Sequence, residues 1–572
     1  VRPGLPAARP ASGVPADIDV ADAARELVAG LSATPWGRVS ASPYETGRVV
    51  SLAPWLDGHA ERVDFLLTTQ RADGCWGPPE GYGLVPTLSA VEALLAERRR
   101  EHPCVDPDLL AKVAGRGLEV VRGWSLEGVG ACLPDMPAIE LIVPSLLSLI
   151  DGHLGGEPPG TVGGLPGAPG PLPGVGGAKL AKVRERLASG APVPQKLVHA
   201  LEVADGETVA AAGVVPTPMP GRMAAVGASP GASAAWLAAL GESAVRGEDA
   251  SDGSAGPAGA GAAVRRYLEA VVSAFGGPVP CAVPITVFER GWVLSWLLRA
   301  GVPLEVPAGL VTGLREALGP EGTPTGPGLP PDADTTSVAL HALALLGDPV
   351  EPSGLWPYET GTHFCTWQGE EGASPTVNAH VLDAVGEYLR RGGNPAPRYA
   401  AVVPRLSAWL RARQAADGSW LDRWHASPYY ATACCALALE DFGGAESRAA
   451  VRGAARWVLG SQRADGSWGR WEGTAEETAY ALQTLLLAGD SLGEERRAAA
   501  VRRGHRYLLG AVTEDGGPVD APPLWHDKDL YCPETVVRAV VLGALHLARR
   551  YPLTESAASV SSPGGCPPAT RP

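Results

Sequence analysis

Gln462-Arg-Ala-Asp-Gly-Ser-Trp-Gly469 decides the fold, because the pattern recurs as Gln414-Ala-Ala-Asp-Gly-Ser-Trp420 and as Gln70-Arg-Ala-Asp-Gly-Cys-Trp-Gly77. Asp-Gly supplies a tight turn, and Trp supplies a large apolar anchor. A helix, a DG turn and a tryptophan returning after the length of one helix pair is the pattern of helical hairpins stacked into a closed ring. The intervening segments agree: Ser337–Leu346, Ala475–Leu487 and Val536–Arg549 are apolar mainly at helical spacing. No segment alternates convincingly as a strand, so the expected fold class is all-α.

Working outward, 572 residues exceed one ordinary core, which predicts two large domains plus tails. A net charge of -15 argues against a nucleic-acid footprint, which needs a basic face. The nine cysteines are odd in number and form no CxxC pair, which suits reduced thiols in a cytoplasm. The first residues, VRPGLPAARPASGVPADIDV, lack the apolar core of a signal peptide, and no stretch is long and apolar enough to span a bilayer. Residues 1–17 and 556–572 read as disordered tails, and 155–177 and about 241–261 as Gly-rich loops between helices.

The motif QxxDGxWG resembles the QW repeat of terpene cyclases, whose α/α barrels also occur in protein prenyltransferases and complement-type thioester domains. It implies a scaffold and leaves the reaction open; its Gln, Asp and Trp are read as ties between helices. More specific is Asp332-Ala333-Asp334-Thr335-Thr336, which is similar to the DxDD acid motif of class II cyclases, with Thr335 in place of the last Asp. Alone, DADTT reads as a helix cap. Its context differs: prolines and glycines fill 318–331, QW repeats flank it, and further matches follow in order along the chain. SPYETGRVV (42–50) resembles SAYDTAWVA, PAIELIVPSLL (137–147) FEIVFPSLL, KLVHALE (196–202) LLHSLEG, VFERGW (287–292) LFERLW, and LWHDKDLY (524–531) LWIGKxLY. The set resembles the bacterial β/γ didomain class II terpene cyclases related to copalyl and drimenyl diphosphate synthases. This implies two α/α barrel domains: 18–60 as the N-terminal segment of the β domain, 61–285 as the γ domain, and 286–555 as the β domain carrying the acid motif.

Class II chemistry begins by protonating a carbon–carbon double bond, a very poor base. The acid must be strong and yet hold its proton beforehand. Burial and a second carboxylate keep it neutral, while groups that stabilise the departing anion supply the opposing push. Asp332 and Asp334 are read as lying just before a helix opened by Thr335-Thr336, whose amides would stabilise that anion. The resemblance assigns the proton to Asp334.

It assigns further residues by position. Asn378 in SPTVNAH matches an Asn hydrogen-bonded to the acid, whereas His380, two residues on, is read as structural. His199 matches a histidine that, with an Asn, holds the water that deprotonates the final cation; Cys281 stands at that Asn position, so the dyad is broken. A core histidine is the other reading of His199. Arg423 and Lys528 match basic residues for the diphosphate, with Lys179 and Lys182 as further cations that read equally as solvated surface. Glu140 matches a Glu associated with Mg2+ beside the diphosphate. Trp292, Trp356, Tyr358, Trp367 and Tyr429 are aromatic candidates for holding carbocations as a group, although each taken singly also reads as packing.

The sequence contains neither the DDxxD nor the NSE-type metal cluster of class I synthases, so the product is expected to keep its diphosphate. The expected reaction is bicyclisation of geranylgeranyl diphosphate to a labdane-related diphosphate; the alternative is the same reaction on farnesyl diphosphate, giving drimenyl diphosphate. A phosphatase or class I synthase would then act downstream. From another class, the chain reads as a non-catalytic α/α-toroid binding module, which predicts a polar cavity around Asp334. The sequence leaves the oligomeric state open.

Overall fold

The computed structural model describes residues 18–127, 133–155, 169–170, 172–241, 257–370, 372–394, 396–488 and 494–551. Both expected tails and most of the two Gly-rich stretches lie outside these residues. The chain is mostly helical.

Six helices of the C-terminal half pack in a closed circuit: Thr286–Arg299, Ala333–Leu345, Pro375–Arg390, Pro428–Phe442, Ala475–Leu487 and Glu534–Arg550, the last returning against the first. Their burial explains their position. In Pro428–Phe442 every residue from Tyr429 to Leu439 is buried, as suits a helix enclosed on all sides. In the neighbouring Gly444–Gly460 only Ser447, Ala450, Val451, Ala454, Ala455 and Val458 are buried, a single stripe that lays the helix on the outside of the circuit.

The repeated motif ties this arrangement together in the same way each time. Gln414 Nε2 donates to Gly418 O in its own turn and to Ala450 O in the next helix, both at 2.8 Å. Gln462 does so to Gly466 O and Ala500 O at 2.9 Å, and Gln70 to Gly74 O and Val113 O at 3.0 Å. The indole N–H of Trp420, Trp468 or Trp76 donates back to the end of the preceding helix, at Leu410 O, Val458 O or Leu66 O. Gly418 has φ +101, and a Cβ there would come within 2.4 Å of Gly453 O, so only glycine fits.

A second assembly is built on Leu84–Arg98, which packs against Pro43–Leu52, Pro107–Glu127 and Ile139–Leu154, with Pro230–Ala239 and Pro257–Phe275 beside them. The chain changes core earlier than residue 60. Val20–Ala33 and Val39 join the C-terminal core, whereas Tyr44, Val49 and Val50 are already buried in the other assembly. Pro43–Leu52 is drawn there because its apolar residues face Leu84–Arg98 and Pro230–Ala239.

Two short antiparallel pairs interrupt the helices, Thr217–Met219 with Met223–Ala225 and Trp525–His526 with Leu530–Tyr531. The tip of the second hairpin reaches into the N-terminal assembly. Asp529 accepts from Ser42 Oγ at 2.7 Å and from Tyr44 N at 3.0 Å. Among the described residues all seven cysteines are free, and no helix is long and apolar enough to cross a membrane.

Candidate active site

A cavity of about 1060 Å³ opens between the two assemblies. Asp334 lies on its wall with Phe288, Trp292, Tyr430, Trp525 and Tyr531, while Glu140, Lys179 and His199 reach it from the N-terminal assembly.

The acid segment is set by a cap. Asp332 is the N-cap of Ala333–Leu345: Oδ1 accepts Thr335 N–H at 2.6 Å, and Oδ2 accepts the Thr335 hydroxyl at 2.9 Å. The helix therefore opens one residue after Asp332, and Asp334 sits inside its first turn rather than ahead of it. Burial, followed by the charge of Asp334, pushes the Asp332 carboxyl up to about 8, against the opposing pull of the Thr335 amide. Thr335, where the resemblance places an Asp, locks this cap and meets Thr325 Oγ1 at 3.2 Å.

The partner of Asp334 is His380, whose Nδ1 lies 2.6 Å from Asp334 Oδ1. Both side chains are largely enclosed, at 9% and 16% exposed for His380 and Asp334. Burial opposes charge on the imidazole, but the Asp334 carboxylate outweighs it and raises His380 well above its ordinary value. Asn378 does not reach the acid. Its Oδ1 accepts Phe364 N–H at 2.8 Å, and its Nδ2 donates to Phe364 O at 3.0 Å and to Ser374 O at 2.9 Å. The amide is thus fully used in fixing the preceding loop to the helix start.

The aromatic lining is continuous. Phe288 and Trp292 have ring centroids 4.3 Å apart, Tyr430 and Trp525 4.8 Å, and Trp292 Nε1 donates to Tyr430 Oη at 3.1 Å. Trp367 lines the cavity edge-on to Trp424, with centroids 5.0 Å apart. Tyr429 does not contribute: it turns away to pack on Trp457 at 4.7 Å, and its neighbour Tyr430 takes the inner face. Trp356 and Tyr358 also lie off the wall. Trp356 packs on Tyr399, and the Tyr358 hydroxyl donates to Glu321 O at 2.7 Å.

Arg423 lines the cavity and pairs with Glu370 at 2.7 Å and Asp135 at 3.0 Å. Glu140 pairs with Lys179 at 2.8 Å, and Lys196 lies along the same side. Lys182 is exposed outside this lining. Lys528 differs from its expected role. Its ammonium is fully enclosed and pairs with Glu45, with Glu202 and Ser229 Oγ at 2.9 Å, and with His199 O at 2.8 Å. A buried cation needs such compensation, so its donors are committed to the seam between the assemblies.

His199 Nδ1 is 2.6 Å from Gly227 O, and Nε2 is 3.0 Å from Asp527 Oδ1. Cys281 is buried behind this wall, its thiol 2.6 Å from Asp529 Oδ1.

Sequence reasoning missed Tyr430, Trp525, Tyr531 and Asp527 on the cavity side, and it read His380, which backs Asp334, as structural. The available signal was that Tyr430 follows Tyr429 directly and that His380 stands two residues after Asn378.

Known proteins bear on this geometry. Residues 371–524 match the family model described as the squalene-hopene cyclase C-terminal domain. The chain is 43% identical over 529 residues to an ent-copalyl diphosphate synthase of Streptomyces sp. (strain KO-3988), covering 92% of this chain and 96% of the relative. It is 40% identical to a labda-7,13-dienyl diphosphate synthase of Streptomyces clavuligerus, covering 94% and 95%. The solved ent-copalyl diphosphate synthase from Streptomyces platensis superposes with a TM-score of 0.83 at 42% identity, covering 93% and 99%. A carboxyl on the wall of an aromatic cavity, backed by an imidazole, thus occurs in a chain that, by near full-length similarity, belongs to the bacterial class II diterpene cyclases of the copalyl diphosphate synthase family.

Proposed function

We propose that Asp334 protonates the terminal double bond of geranylgeranyl diphosphate and that the chain closes into a bicyclic, labdane-related diterpenyl diphosphate. The observation that carries this reading is that Asp334, on the aromatic wall of the cavity, is held by His380 at 2.6 Å from behind that wall. With His380 as imidazolium on Oδ1, a proton on the other oxygen leaves behind a carboxylate already paired with a cation. That pairing stabilises the anion that donation leaves behind. Neutral Asp332 adds no repulsion to the anion as it forms.

Proton addition to the alkene leaves a tertiary cation, and the neighbouring double bonds attack in turn, forming two carbon–carbon bonds. The faces of Trp292, Tyr430 and Trp525 attract the moving positive charge, by about 0.5–2 kcal/mol each, and exclude water that would quench it. The carbon–oxygen bond to the diphosphate takes no part, so the diphosphate is retained. A volume of about 1060 Å³ sits at the top of the usual range for ligand pockets and accommodates a twenty-carbon chain.

Arg423, Lys179 and Lys196 would receive the diphosphate on their side of the cavity. Their carboxylate neighbours Glu140, Glu370 and Asp135 are hard oxygen donors of the kind that hold Mg2+ together with phosphate. The ion would neutralise diphosphate charge there.

The test is incubation of the purified protein and Asp334→Ala with geranylgeranyl and farnesyl diphosphates plus magnesium, followed by phosphatase treatment and mass spectrometry. A bicyclic C20 alcohol from the wild type and none from the variant is expected. No cyclic alcohol from either substrate overturns the reading.

A further inference from the structure

The same cavity must also end the reaction, and the histidine at the matching position is held in a form that cannot do so. A carbonyl only accepts, so the 2.6 Å contact from His199 Nδ1 to Gly227 O places a hydrogen on Nδ1. His199 Nε2 faces Asp527 Oδ1 at 3.0 Å, and that oxygen also accepts the Lys528 backbone N–H at 2.8 Å. The Asp527 carboxyl is held below its ordinary range by His199, while burial alone would raise it. An ionised Asp527 places the second hydrogen on Nε2, and His199, itself raised by Asp527, is then an imidazolium. Both nitrogens donate. No lone pair remains to take a proton from a carbocation or from a water poised against one.

Asp527 is placed to act instead. It lines the cavity, and its side chain is 14% exposed. Two hydrogen bonds fall on Oδ1, and Oδ2 has no partner among the described residues. Tyr531, on the same wall, lies in the field of both Asp527 and Asp334, so the two carboxylates face one reaction space. Cys281, at the position of the dyad's second member, has its thiol turned to Asp529.

We propose that Asp527 is the terminating base, with His199 acting as a positioning cation. This rests on the cyclisation proposed above. In the step, a C–H bond next to the cationic carbon of the bicycle breaks. Its electron pair becomes the product double bond, and the proton passes to Asp527 Oδ2 and then to water. One proton enters from Asp334 and one leaves through Asp527, so the reaction is a net isomerisation. Which neighbouring C–H faces Oδ2 sets the double-bond position. The imidazolium and the Lys528 backbone N–H hold the carboxylate ionised and fix its orientation.

The experiment compares wild type, Asp527→Asn, Asp527→Glu and His199→Gln with geranylgeranyl diphosphate, reading products by chromatography and mass spectrometry after phosphatase treatment. Asp527→Asn is expected to lower the wild-type alkene at least tenfold as a fraction of bicyclic products, in favour of another alkene isomer or the alcohol formed by water capture. Asp527→Glu keeps the charge but moves the oxygens, and is expected to give mixed alkenes; it decides the matter if the Asn variant does not fold. His199→Gln is expected to turn over more slowly while making mainly the wild-type alkene. The wild-type alkene as sole bicyclic product of a soluble Asp527 variant overturns the proposal, as does a product switch confined to His199→Gln. Absence of any bicyclic product from the wild type would instead sink the cyclisation reading.

Discussion

His380 Nδ1 and Asp334 Oδ1 lie 2.6 Å apart across two neighbouring helices of the closed circuit. The contact joins the first turn of Ala333–Leu345 to the second turn of Pro375–Arg390, and the register of both helices is pinned by caps, Asp332 in one and Ser374 in the other. Proton donation from Asp334 should therefore depend on His380 more than on Asn378. His380→Gln is expected to lower kcat by about 10²–10³, within the range of general-acid effects, with KM nearly unchanged. Asn378→Ala should instead lower Tm, by leaving the Phe364 N–H and C=O unpaired and removing the second donor to Ser374 O. Steady-state kinetics and thermal melts on the two variants separate these roles.

Asp332 supplies a pH dependence. Its carboxyl is pushed up to about 8, so it is neutral at pH 7 and ionises as pH rises through that value. A negative charge there opposes the charge that Asp334 acquires on donation, so kcat should decline above about pH 8. In Asp332→Asn this decline should be absent; the amide oxygen keeps the cap on Thr335 N–H, while the acceptor for the Thr335 hydroxyl is lost. Stability follows the same sign. The raised carboxyl contributes fully below the ordinary carboxylate range, and the contribution is lost as pH climbs to about 8. Melting curves from pH 5 to 8.5 on wild type and variant check this.

The repeated glutamine and tryptophan should matter for stability alone. Trp468 is fully buried and donates to Val458 O at 2.7 Å. Trp468→Ala should cost about 3–5 kcal/mol. Gln462→Ala removes two bonds of 2.9 Å and should cost about 1–3 kcal/mol. Denaturant unfolding measures both, and product identity should not change in either.

Lys528 and Arg423 should diverge. Lys528→Met leaves Glu45 and Glu202 buried without their cation, and about 3–5 kcal/mol of stability should go with it. Arg423→Ala should raise KM for the diphosphate substrate with little change in Tm. A Lys528 variant of wild-type stability with a raised KM would reverse this assignment.

The repeated motif and the acid segment were legible because their chemistry is local. The Asp-Gly turn and the tryptophan close the end of the helix before them, the glutamine reaches only its own turn and the next helix in the chain, and Asp332 caps its own helix. Asn378 and His380 were harder. Two residues apart on a helix they point to nearly opposite faces, so only one can meet Asp334, and the choice depends on a rotation that the Ser374 cap sets. Tyr429 and Tyr430 pose the same problem one residue apart. Lys528 misled for another reason. Nothing in LWHDKDLY says that its lysine is sealed against Glu45 and Glu202, which lie hundreds of residues earlier and converge on it only in the fold.

The Trp525–Tyr531 hairpin carries that sealed lysine on a segment of one assembly, while its counter-charges belong to the other. Pulling the assemblies apart would strand an ion on each side of the break, and it would also split the cavity lengthwise. Two cores would ordinarily allow two melting steps. Here the seam couples them, so calorimetry should record one cooperative transition whose enthalpy and heat-capacity change scale with both assemblies together.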